Sequence, residues 1–161
     1  MQAILATLGY VLSADGTRVL MIHRDTRPDD LHFGRYNGLG GKLEPDEDVC
    51  AGMCREIGEE AGITCERLEL AGTISWPGFG REGENWFGFV FRVPAWSGTP
   101  RRTNPEGTLE WVEVADLLAG KLPLWGGDAH FLPLVFGSTR QFHAVMPYAD
   151  GRPTGWSYSQ L

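Results

Sequence analysis

A chain of 161 residues, 42% hydrophobic and 22% charged, has the length and composition of one globular domain with a buried core, which excludes a disordered tail as the default reading. Its formal net charge of −7 argues against a long nucleic-acid partner, because no basic stripe is present to neutralise phosphates; a single nucleotide held through metal ions remains open. No apolar run approaches the roughly 20 residues of a membrane span, and Met1 is followed by QAILATLGYVL without a basic segment, so the expectation is a cytoplasmic protein without a membrane partner. The cysteines Cys50, Cys54 and Cys65 are odd in number and lack further ligands at finger spacing, which favours small core residues in a reducing compartment over zinc.

In chain order, ILATLGYVL and TRVLMIHR read as strands joined by the turn SADG, hence a hairpin. DTRPDDLHFGRYNGLGG is turn-rich and too polar for a core element. RLELAGTISW and NWFGFVFRV read as strands on either side of the glycine-rich PGFGREGE. TLEWVEV is a short strand, ADLLAG a brief helix, and GDAHFLPLVF a helix with one apolar face. QFHAVMPY and TGWSYS read as strands joined by ADGR. This order predicts one α/β domain over residues 1–161 with a mixed sheet.

Between the loop and the third strand lies GGKLEPDEDVCAGMCREIGEEAGI, residues 40–63. Pro45, Asp46, Glu47 and Asp48 suit a helix start and Gly62 its stop. At about 100° per residue, Glu56, Glu59 and Glu60 fall on one edge, while Cys50, Cys54, Ile57 and Ala61 occupy another face expected to pack on the sheet. A solvated helix face would normally alternate charge signs; here three carboxylates share one adjacent cation, Arg55. A hard divalent cation would relieve that repulsion, and GLGGK would let the backbone approach such an ion or a phosphate closely.

The spacing is that of a known signature. Gly41, Glu47, Arg55-Glu56-Ile57, Glu59-Glu60 and Gly62-Ile63 match the Nudix box, G-x5-E-x7-R-E-U-x-E-E-x-G-U with U aliphatic, at nine constrained positions in 23 residues. The chain therefore resembles the Nudix hydrolases. That resemblance implies an α/β/α sandwich with the box as loop–helix–loop, and hydrolysis of a nucleoside diphosphate linked to another group. It implies Mg²⁺ as cofactor, with Mn²⁺ as a substitute. Glu56, Glu59 and Glu60 are the implied catalytic metal ligands, joined by the Gly41 carbonyl, with Glu47 and Arg55 as a supporting ion pair.

The likeness extends through GRYNGLGGK, EGTLEWV and LWGGDAHF to the MutT-type 8-oxo-dGTP diphosphatases, including the MutX-like bacterial branch and the human MutT homologue. It implies a pyrophosphohydrolase of the nucleotide pool, with Asn37, Trp125 and Asp128 reading the base, Lys42 contacting substrate, and Glu106 as a further metal-binding or basic carboxylate, with Glu110 as its alternative. An amide donates and accepts at a base edge, an indole stacks, and a carboxyl pairs with ring N–H groups. Where the human homologue has two adjacent aspartates, this chain has Gly127 and Asp128, which leaves breadth of substrate open.

Plainer readings stand beside these. Trp125 is also a candidate core residue, Asn37 a turn residue, and Asp128 an N-cap. His23 and Arg24 end a strand where they could face substrate, and WPGFGREGENWF reads as a mobile pocket rim. Other Nudix substrates (a dinucleoside polyphosphate, a nucleotide sugar, an RNA 5′ end) and a non-catalytic nucleotide-binding module are the alternatives. The expected partner is a small nucleotide, and the expected assembly a monomer or homodimer.

Overall fold

The computed structural model describes residues 1–161. The chain runs through β1 (Ile4–Leu12), β2 (Arg18–His23), β3 (Tyr36–Asn37), β4 (Leu39–Lys42), α1 (Val49–Ala61), β5 (Thr64–Trp76) and β6 (Trp86–Ser97). It continues through β7 (Thr103–Asn104), β8 (Gly107–Glu113), α2 (Val114–Leu118), α3 (Asp128–Phe136), β9 (Phe142–Val145), β10 (Tyr148–Ala149), β11 (Arg152–Pro153) and β12 (Ser157–Gln160). Ten strands form one sheet in the order β12-β9-β5-β6-β1-β2-β8-β7, with β3 added to β2 and β4 to β1. The β1·β6 and β5·β9 pairs are parallel and the rest antiparallel, so the sheet is mixed as expected.

Period-two alternation sends successive side chains to opposite faces. Along β2, Val19 and Met21 join a core with Phe131, Leu132 and Val135 of α3, while Leu20 and Ile22 join a second core with Met53, Ile57 and Ala61 of α1. The sheet is thus sandwiched between α1 on one face and α2 and α3 on the other. Each fully buried side chain such as Ile57 or Phe131 contributes about 1.5–3 kcal/mol of hydrophobic stabilisation. No helix is long and apolar enough to cross a membrane.

One difference from the sequence expectation shapes the site. β1 pairs with β2 only at Val11 and Leu12; its first half pairs instead with β4, from Ala6↔Lys42 to Gly9↔Leu39. The far end of β2 pairs with β3. The two strands diverge, and the polar segment read as loop fills the fork by pairing with their freed backbone groups. Gly40 is required there: a Cβ would collide with the Thr7 carbonyl. A second difference lies near the end, where Pro147, which has no N–H to give a ladder, divides QFHAVMPY into β9 and β10. ADGR is a turn, with positive φ at Asp150 (51°) and Gly151 (73°), but it closes a separate hairpin of β10 and β11; of TGWSYS only the end is strand, within β12, which pairs with β9.

Candidate active site

The acids at 46–48 do not begin the helix. Asp48 is its N-cap, its Oδ1 accepting the Cys50 and Ala51 N–H groups at 2.9 Å each, and α1 starts one residue later. That start leaves Glu47 outside the helix, free to fold back onto Arg55. Glu47 Oε2 and Oε1 accept from Arg55 Nε at 2.9 Å and Nη2 at 2.6 Å, a bidentate pair. The Arg55 hydrogen bonds hold the Glu47 carboxyl down at about 2, and the same pair raises the guanidinium. Arg55 Nη2 also donates to the Lys42 carbonyl at 3.1 Å, tying the loop before the helix to the helix itself. Gly62 ends the helix with φ 71°, its N–H bonded to Gly58 O at 3.0 Å. The inner face is Gly52, Met53, Ile57 and Ala61. Cys50, expected on that face, is exposed at the second residue of the helix; Cys54 is half-buried.

The three box glutamates occupy different environments. Arg55 Nη1 donates to Glu56 Oε1 at 3.1 Å and Glu59 Oε2 at 3.3 Å; Glu59 is 60% exposed and Glu56 only 14%. Glu60 turns inward. Its Oε1 accepts the Gly40 N–H at 3.4 Å, and its Oε2 is buried without a partner. Burial, then the charges of Glu106 and Glu56, push its carboxyl up to about 9. Glu56 packs against Gly41, where a Cβ would strike its carboxylate.

No trio of acidic or imidazole side chains already converges on one point. The donor set nonetheless fits a hard divalent cation: carboxylates, a backbone carbonyl and one orphaned buried oxygen on Glu60.

Glu106 approaches from β7–β8. Asn104 Oδ1 accepts the N–H groups of Glu106 (2.9 Å) and Gly107 (3.1 Å), and Asn104 Nδ2 donates to Glu60 O at 3.2 Å. Glu59, Glu60, Asn104, Glu106 and Arg27 line a cleft of about 210 Å³. Glu110, the alternative to Glu106, does not belong to it. It lies on the face of β8 away from α1, its Oε2 3.0 Å from His23 Nδ1. His23 stacks on Tyr36 at 4.3 Å and is spent there, whereas its neighbour Arg24 reaches the site.

Across β4 lies a second cavity of about 320 Å³. Asn37, Trp125 and Asp128 line it together with Arg24, Gly40, Gly41, Trp76, Phe79, Trp86 and Tyr148. Asn37 Oδ1, Trp86 Nε1 and Trp125 Nε1 are buried without a hydrogen-bond partner. Trp125 is backed by His32, ring centroids 3.5 Å apart at 23°. Asp128 is the first residue of α3, and Gly127, not Asp128, caps that helix. Burial raises the Asp128 carboxyl to about 7, opposed by a Trp125 backbone hydrogen bond and the Arg35 charge. Lys42 does not line this cavity; its Nζ sits 5.4 Å over the Trp86 ring at the margin. The WPGFGREGENWF segment supplies Trp76, Phe79 and Trp86 as cavity wall.

Arg24 joins the two spaces. It lines the aromatic cavity, and its Nη1 lies 3.5 Å from Glu106 Oε2 while its Nε holds Asp30 at 2.6 Å. The sequence reading did not find Asn104, Tyr10, Phe131 or Tyr148. For Asn104 there was a signal in the Asn-Pro turn before Glu106. Tyr10, Phe131 and Tyr148 read only as core or strand residues.

The NUDIX domain family profile matches residues 4–135. A Bacillus subtilis protein described as an uncharacterized Nudix hydrolase is 28% identical over 142 residues, 86% of this chain and 83% of its own. The oxidized purine nucleoside triphosphate hydrolase of Mus musculus is 30% identical over 126 residues, covering 78% of this chain and 77% of its own. Among solved structures, the mutator MutT protein of Bacillus halodurans superimposes with a TM-score of 0.83 at 27% identity, covering 97% of both chains.

Proposed function

The chain belongs to the Nudix hydrolase family and is of the MutT type, and from that premise we propose that it hydrolyses 8-oxo-dGTP to 8-oxo-dGMP and pyrophosphate, cleansing the nucleotide pool. The observation that carries this reading is the aromatic cavity with three unpaired polar atoms, on Asn37, Trp86 and Trp125, set beside a carboxylate cleft. Buried polar atoms without partners are costly and mark a place where a ligand supplies the missing hydrogen bonds. A cavity lined by indole and phenyl rings suits a flat base. The mouse relative, by its name, acts on oxidised purine nucleoside triphosphates, which points the same way.

In this reading Glu56, Glu59, Glu60 and the Gly41 carbonyl would hold Mg²⁺. A bound divalent cation neutralises pyrophosphate charge and makes the attacking water more acidic. The protein's own contribution is positional. Glu47 fixes Arg55, and Arg55 holds Glu56 and Glu59 in reach before substrate arrives. Asn104 aims Glu106, whose carboxylate takes the proton of the attacking water. Arg24 lies between cavity and cleft, where its charge meets the phosphates, and Lys42 adds an exposed ammonium at the margin. Asn37 and Asp128 read the base edge against Trp125.

The test is kcat/KM with Mg²⁺ for 8-oxo-dGTP against dGTP, with products separated by chromatography. A preference of at least about tenfold, releasing monophosphate and pyrophosphate, is expected. Equal rates would leave the family chemistry and remove the substrate assignment.

A further inference from the structure

The family profile ends at residue 135, yet one wall of the aromatic cavity comes from beyond it. Tyr148 opens β10, its N–H bonded to Pro77 O at 2.8 Å and its ring edge-on to Phe79 at 5.0 Å and 80°. The hydroxyl lies above Gly127. A Cβ on Gly127 would stand 2.8 Å from it and would collide with Met146 Sδ. A side chain at Gly127 would meet the Met146 thioether first and the Tyr148 hydroxyl next, so the phenol packs against the backbone just before Asp128. Burial, then the charge of Asp128, raise the phenol to about 12, and no hydrogen bond contributes, so the O–H is a protonated and uncommitted donor.

We propose that Tyr148 is a specificity residue of this cavity, donating its hydroxyl hydrogen to the carbonyl oxygen of a 6-oxopurine while Asp128 accepts the adjacent N–H groups. The assignment rests on the nucleotide hydrolase reading above and adds the base edge that is read. A buried carboxylate has two oxygens to satisfy. The Watson–Crick edge of a guanine-type base offers a ring N–H and an amino N–H side by side, with the carbonyl oxygen next to them. One carboxylate and one hydroxyl donor match that edge completely. A 6-aminopurine offers one amino group and no carbonyl, which leaves a carboxylate oxygen unpaired at a cost. Gly78 supports the placement, since a side chain there would press on the Tyr148 carbonyl at 2.6 Å and push the hairpin away.

The experiment compares wild type with Tyr148→Phe, which keeps the ring against Phe79 and removes only the hydroxyl. Calorimetry would measure binding of dGMP and of the 2-aminopurine deoxyribonucleoside monophosphate, which keeps the amino group but lacks the carbonyl and ring N–H. The dGMP affinity should fall about tenfold, so that the ratio of the two affinities collapses. For the triphosphates the loss should appear in KM, not kcat. Gly127→Ala, which pushes a methyl against the hydroxyl, should lower the same ratio. An equal loss for both nucleotides would make Tyr148 a packing residue and overturn the proposal, as would no change. Wild-type protein that binds neither nucleotide would remove the nucleotide reading itself.

Discussion

The carboxylate cleft and the aromatic cavity meet at Gly40, which lines the cavity and whose N–H donates to Glu60 of the cleft, but they are unfinished in opposite ways. In the cleft the deficit is charge. Arg55 serves Glu47, Glu56 and Glu59 together, and Glu60 is left buried beside Glu56 and Glu106 with one oxygen unpaired. In the cavity the deficit is hydrogen bonds: an amide oxygen and two indole N–H groups of its lining residues are buried without partners beside a half-open space lined by rings. A cation would complete the first and a polar, flat ligand the second. The two regions therefore suit the ionic end and the aromatic end of the proposed nucleotide, and each end can be tested separately.

The largest effect should come from the cleft. Glu59→Gln removes a charge while Glu59 is exposed and bears on no core contact. Turnover should drop by about a thousandfold with the melting temperature retained; a wild-type rate in this variant would exclude Glu59 from the mechanism.

Asp128→Asn addresses the other region and should act mainly on KM, by about tenfold. The carboxyl titrates near 7, and its ionised form is the better acceptor for base N–H groups. Wild-type KM should therefore fall as pH rises through about 7, and the asparagine variant should lose that dependence. A KM profile unchanged by the substitution would detach Asp128 from the base.

The smallest effect is on stability and belongs to Glu60. Its folded-state carboxyl, at about 9, is raised above the ordinary glutamate value of 4.5. Between those two values the folded protein binds a proton that the unfolded chain does not, so this group's contribution is full below about 4.5 and is lost as pH rises through about 9. Metal-free Glu60→Gln should accordingly melt a few degrees higher than wild type at pH 8, and should lose the stabilisation that millimolar Mg²⁺ gives wild type. A wild-type response to Mg²⁺ in this variant would show that Glu60 is not needed to hold the ion.

Much of the cleft was legible in the sequence because it is local. Arg55, Glu56, Glu59 and Glu60 lie within two turns of one helix, and helical geometry alone puts them on one edge. Spacing did not reveal which carboxylate is buried. That depends on β7–β8 delivering Asn104 and Glu106 from more than forty residues away. The helix start was read early because Asp48 is its N-cap and lies outside it, and Cys50, in its first turn, is exposed where an inward face was expected.

The sequence by itself determined the family, the mixed α/β fold and the charged helix, because those follow from spacing and from period-two and period-3.6 alternation within short segments. The resemblance pointed to Asn37, Trp125 and Asp128, and composition to the WPGFGREGENWF segment, but only the tertiary structure decided how they close around a cavity with Tyr10, Phe131 and Tyr148. They meet where β1 and β2 diverge and a polar segment pairs into the fork. Backbone hydrogen bonding drives that rearrangement, and no side-chain pattern in a glycine-rich loop records it.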